Sequence, residues 1–178
     1  GHGASKPRVV MSSSFNERCG ISYYVENLCK GLIRRDVKPE VLAPRGVEDR
    51  STGVGVNYVR AWQKGGQIDI PDGPPGVLHI QHEFSFWTTE DALVETLQKA
   101  KAAGWKTIVT LHTIMPAGMS HANFFKAVVR EADLVTALGS SGANALRGWC
   151  EIAGELPSKV RLTPNICLEK PFDVEFPG

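Results

Sequence analysis

No apolar run in this sequence reaches the length of about 20 residues that a helix needs to cross a bilayer. A helical membrane span is therefore not expected. The four cysteines, Cys19, Cys29, Cys150 and Cys167, never fall in a C-x-x-C pair, so neither a zinc knuckle nor a dithiol redox motif is encoded. A reducing, cytoplasmic setting fits that usage. Charge of one sign is also lacking, since 20 Lys+Arg against 19 Asp+Glu leave a formal charge of +1. With no basic stripe to neutralise a run of phosphates, nucleic acid is not expected as a partner. The glycine-rich phosphate motifs G-x-G-x-x-G and the Walker P-loop are missing too. There is no internal repeat and no low-complexity segment. The opening Gly-His-Gly-Ala-Ser is followed by no apolar stretch of signal-peptide type and resembles a tag remnant.

What is present suits one α/β domain. The 178 residues are 42% hydrophobic and 22% charged, enough to bury a core of their own. Apolar β-branched runs alternate with helical patterns, which predicts a Rossmann-like parallel sheet with helices on both faces. Arg8 to Ser13 reads as the first strand, and Ser14 to Gly20 as a loop. Ile21, Tyr24, Val25, Leu28, Leu32 and Ile33 then recur at the spacing of one buried helix face. Short strands follow at Glu40 to Ala43 and Val56 to Val59. Gln63 to Gly76, rich in Gly, Pro and Asp, reads as a surface connection. The sheet resumes at Val77 to Gln81.

Thr88 and Asp91, three apart, predict a capped helix start, with a stop at Gly104. Lys106 to Leu111 reads as a buried strand, Ser120 as the cap of a helix bearing Phe124, Phe125 and Val128, and Asp133 to Ala137 as another strand. Ser140 to Trp149 predicts a helix and Val160 to Leu162 a last strand. Residues 1–6 are thus expected to be a tag remnant and flexible start, 7–166 the domain, and 167–178 a linker toward a C-terminal domain not contained in this sequence.

In open parallel sheets ligands lie beyond the C-terminal ends of the strands, which directs attention to the loops after the first strand, after Gln81 and after Leu111. The first loop, Phe15-Asn16-Glu17-Arg18-Cys19-Gly20, runs into a helix whose free N–H groups and positive dipole end face any phosphate that Gly20 lets approach. Gly20 also fits an ordinary turn before a helix. His79, His82, Glu83 and His112 are zinc-ligand types, but His79 and His82 stand three apart along a strand and point to opposite faces of the sheet. No metal site is expected. His79 reads as a satisfied core residue or as one that supports a ligand-contacting neighbour from behind. His82, Glu83 and His112, just past their strands, suit polar contacts to a hydroxyl-rich substrate, or else anchor their loops. Phe84, Phe86 and Trp87 offer faces that pack against sugar C–H groups, or a hydrophobic plug under the next helix.

Four fragments in this order, Cys19-Gly20-Ile21-Ser22, Gln81-His82-Glu83-Phe84, Thr110-Leu111-His112-Thr113, and Ala132-Asp133 followed by Ser140, resemble family 4 glycosyltransferases. They span most of the chain. The resemblance implies one half of a GT-B fold, two Rossmann-like domains facing a cleft, and transfer of sugar from a nucleotide-sugar donor with retention of configuration. No cofactor is implied beyond that donor. Cys19, Gly20, Ile21 and Ser22 look like the loop that approaches the donor diphosphate, and His112 like the catalytic histidine that contacts the transferred sugar. Gln81, His82, Glu83, Phe84, Trp87 and Thr113 fall in the segments that line the acceptor side.

The sequence departs from the family at Phe84-Ser85-Phe86-Trp87, where a glycine-rich turn is common, which leaves acceptor identity open among saccharide, lipid-linked and small-molecule classes. It departs again at Pro164-Asn165-Ile166, where Pro-His-Gly or Pro-Asn-Gly usually leads into the second domain. That domain normally supplies the nucleotide pocket, so the isolated chain is expected to turn over negligibly. A stand-alone ligand-binding or regulatory module is the competing reading, and a hydrolase using His82, Glu83 and His112 on a metal is a third. An exposed Trp87 would also permit peripheral contact with the inner face of a membrane.

Overall fold

A computed structural model describes residues 6–50 and 55–163. The expected tag remnant (apart from Lys6), the linker and Pro164-Asn165-Ile166 lie outside the described residues. Seven short strands build one sheet: β1 (Val9–Ser12), β2 (Glu40–Pro44), β3 (Asn57–Trp62), β4 (Val77–His82), β5 (Lys106–Leu111), β6 (Leu134–Ala137) and β7 (Val160–Leu162). Helices α1 (Gly20–Arg34), α2 (Glu90–Ala102), α3 (Ala122–Glu131) and α4 (Ser140–Ala153) supply the crossovers, with 3₁₀ turns at Phe84–Phe86 and Pro157–Lys159. The strand order is β3-β2-β1-β4-β5-β6-β7, and every pairing is parallel. The expected Rossmann-like α/β class is what the chain forms.

Alternation along the strands divides the core into two layers. Met11, Val41 and Ala43 face α1 and meet its Tyr24, Val25 and Cys29. Val10, Leu78, Ile80, Val109, Leu111, Val135 and Ala137 face the other way, under α2, α3 and α4. In that second layer Trp149 of α4 is fully buried and stacks on Phe125 of α3 with centroids 5.4 Å apart. Its Nε1 donates to the Met115 carbonyl at 2.8 Å, which ties the loop after β5 to α4. A buried ring of this size contributes about 1.5 to 3 kcal/mol through its apolar area alone.

Several local expectations shift. The α2 cap is Thr89, whose side chain accepts from the Ala92 N–H at 3.2 Å. Thr88 is held outside the helix because its N–H donates to the Gly66 carbonyl, beside the bridge between Gly66 and Trp87. Ser120 does not cap α3. His121 occupies that position in the left-handed region, φ 62, and its ring is drawn away to Glu90 on α2. Strand β3 runs on to Trp62, buried and bonded through Nε1 to the Leu42 carbonyl, three residues past the expected end. Helix α4 continues to Ala153, where Gly154, φ 74, ends it.

Candidate functional site

β1 and β4 are neighbours whose following chains leave in opposite directions, so their C-terminal ends form the switch-point crevice of the sheet. The loop after β1 enters that crevice and delivers α1. Cys19 occupies the N-cap in extended backbone with no side-chain cap, and no acidic residue stands in the first turn. Nothing lies within 4 Å of where a Gly20 Cβ would stand. No side chain caps the first N–H groups of α1, which carry the positive end of the helix dipole. Ser22 differs from its neighbours: it is buried, and its Oγ accepts from the Glu17 N–H at 3.2 Å, so it braces the loop from inside. Glu17 is itself buried and pairs with Lys64 at 3.1 Å.

Four strands contribute to a polar network behind α1. On β4, His79 Nε2 lies 2.7 Å from Thr110 Oγ1 of β5, which lies 2.6 Å from Thr136 Oγ1 of β6. Gln81, fully buried, sets its amide nitrogen 3.2 Å from His79 Nε2 and 3.7 Å from Met11 Sδ of β1, and its oxygen 2.7 Å from His112 Nε2. The ring of His112 also meets the Tyr24 ring of α1 edge-on at 5.8 Å. Burial lowers His112 to a pKa of about 4, against a smaller upward pull from Glu83, so the ring is neutral at pH 7. His79 is likewise held down to about 4, first by burial and then by His112. His79 is half-buried and hydrogen-bonded to Thr110 and Gln81, on the face opposite His82.

Glu83 and Thr113, expected to face the acceptor, hold each other. Glu83 accepts from Thr113 Oγ1 and from the Phe84 N–H, each at 3.0 Å, which clamps the loop after β4 to the loop after β5. Gln81, expected on the acceptor side, meets solvent nowhere and spends its oxygen on His112. His82 points to the opposite face, buried between Phe84 and Phe124 with ring centroids 4.9 Å from each, and burial takes it down to about 3. His82, Phe84 and Trp87 line a separate recess of about 170 Å³ at the start of α2. Trp87 is 5% exposed, so the exposed ring on which membrane contact depended is not there.

His112 lines a larger cleft of about 410 Å³ with Ile114, Pro116, Leu138, Gly139, Ser141 and Gly142. The α4 contribution was not anticipated, although Gly139-Ser140-Ser141-Gly142 follows a strand and the same strand-end rule that selected His112 applies to it. Gly142 has a packing reason: a Cβ there would stand 3.1 Å from Ile114 and 3.2 Å from Ala137. A second opening of about 400 Å³ lies after β1 and β2, between Glu17, Arg18 and residues 47–50. Among the described residues no group of His, Cys, Asp and Glu is arranged to hold a metal, and no helix is long and apolar enough to cross a membrane.

Ala132-Asp133, part of the family resemblance, sits at the opposite end of the sheet. Asp133 accepts from the Thr107 N–H at 2.8 Å and so fastens the start of β5 to β6. Its role is structural.

No protein-family model matches the chain, and no curated protein matches it in sequence. Among solved structures it is similar to Anabaena Alr3699/HepE in complex with UDP, at 12% identity and a TM-score of 0.52, over 89% of this chain and 44% of that one. The complex of the same protein with UDP and glucose gives 13% identity and a TM-score of 0.51, over 90% and 44%. The chain spans less than half the length of these solved chains, and at such identity the likeness is one of fold.

Proposed function

We propose that this chain is the N-terminal, acceptor-side domain of a retaining glycosyltransferase that draws sugar from a nucleotide-sugar donor. One arrangement carries the reading: the N-terminus of α1, without a side-chain cap, and a neutral His112, whose ring meets Tyr24 of the same helix, both stand at the C-terminal edge of the sheet. The two ends of a nucleotide sugar ask for those two properties. Its diphosphate, which gains charge as it departs, is stabilised by free N–H groups and a helix dipole. Its sugar is oriented by a neutral ring that exchanges hydrogen bonds with hydroxyls. The fold likeness to a protein solved with UDP and glucose supports this reading.

The α1 terminus supplies partial charge from one side only, and in this reading Cys19, Gly20 and Ile21 contact the diphosphate. A facing domain would complete the electrostatics and close the cleft around the acceptor. The 178-residue chain given a panel of nucleotide sugars and acceptors is therefore expected to release no nucleoside diphosphate above background. The product of the complete reading frame, assayed alongside, is expected to release it. Equal release by both would sink the reading of this chain as half an enzyme, and binding without release by the longer product would favour a non-catalytic module.

A further inference from the structure

The partners of Gln81 decide where the proton of His112 resides. Met11 Sδ has no hydrogen to donate, so the end of the Gln81 amide that faces it at 3.7 Å is the NH₂ group. The same NH₂ meets His79 Nε2 at 3.2 Å, a ring nitrogen that also lies 2.7 Å from Thr110 Oγ1. Turning the amide over would set its oxygen against sulfur in a site with no water contact and forfeit a bond there. The oxygen of Gln81 therefore faces His112 Nε2 at 2.7 Å, and a carbonyl oxygen only accepts. In a neutral imidazole, a proton on Nε2 leaves Nδ1 as a bare lone pair. No described residue hydrogen-bonds to that Nδ1, and the ring lines the 410 Å³ cleft.

We propose that Gln81 is a positioning residue that locks His112 in its Nε2-protonated form, so that His112 turns an acceptor toward the cleft and selects a ligand group that donates there. A hydroxyl satisfies this and a phosphate oxygen, which only accepts, does not. Resting on the proposed function, the assignment places the hydroxyl-bearing sugar or acceptor at His112 and the diphosphate elsewhere, at α1. It separates the two ligand ends by hydrogen-bond sense as well as by charge.

The test is a long-range ¹H–¹⁵N correlation spectrum of the ¹⁵N-labelled 178-residue chain at pH 7, which distinguishes the two neutral imidazole forms and the charged ring. The expected pattern for His112 is a protonated Nε2 with an unprotonated Nδ1. In Gln81→Leu, where the acceptor is gone, both nitrogen shifts are expected to move toward the averaged values of exchanging tautomers. A wild-type ring protonated at Nδ1, or charged, overturns the proposal, as do unchanged His112 shifts in a folded Gln81→Leu. Should that variant not fold, the wild-type spectrum decides alone. No turnover is read, so a failed glycosyltransferase assay and a failed tautomer assignment are distinguishable results.

Discussion

At the scale of single residues, the same polar types serve opposite ends depending on which way one backbone step points them. Gln81 and His82 are consecutive, yet the Gln81 amide meets His112 while the His82 ring packs between Phe84 and Phe124 beside a separate recess. His112 is the side chain in the network that also reaches a cleft. If the proposed function holds, His112→Ala in a two-domain enzyme is expected to lower turnover by roughly 10²-fold, the scale of a lost positioned hydrogen-bonding or acid–base group. Nucleoside diphosphate release beside a thermal melt checks this, because a melt as changed as the rate would return His112 to a loop anchor. The residue types at these positions were legible in the sequence. Their division into ligand-facing and buried was not, since a fully buried Gln81 or Trp87 reads in a sequence like an exposed one.

At the scale of elements, two glycines in helices show how packing decides the sign of one substitution. Gly31 lies inside α1 with nothing within 4 Å of its missing Cβ, whereas a Cβ at Gly148 in α4 would stand 2.7 Å from that of Ala117. Gly31→Ala is expected to stabilise the chain by about 0.5 to 1 kcal/mol through helix propensity. Gly148→Ala is expected to destabilise it by about 1 to 3 kcal/mol, because the loop after β5 must move off α4. Urea midpoints of the two variants against wild type give both signs in one experiment. The existence of the helices and strands was readable from periodicity, but not the caps. Thr88 lost its place to Thr89, and Ser120 to His121, through contacts with Gly66 and Glu90 that come from distant parts of the chain.

At the scale of the whole molecule, three histidines held neutral couple stability to pH. Burial keeps His79 and His112 at about 4 and His82 at about 3, below the ordinary value near 6.5. The unfolded chain therefore binds protons that the folded chain refuses as pH falls from about 6.5 toward 4, and stability falls with it. Each ring is expected to remove on the order of 1 to 2 kcal/mol between pH 7 and 5, an effect absent above pH 7. Urea unfolding at pH 7.5, 6 and 5 measures this. A flat profile would mean that these rings are charged or wet in the folded state.

The sequence by itself determined the α/β class, the positions of the seven strands and four helices, and the edge of the sheet where chemistry belongs. Those follow from the periods of apolar residues and from the rule that parallel strands expose their loops on one side. Only the tertiary structure decided that Gln81 serves His112, that Glu83 and Thr113 clamp two loops together, that Trp87 is buried, and that α4 shares the cleft with His112. The physical reason is that periodicity assigns a side chain to a face of its own strand or helix. What meets it there depends on strand order, which brings residues about 30 apart, such as Gln81 and His112, within one hydrogen bond of each other.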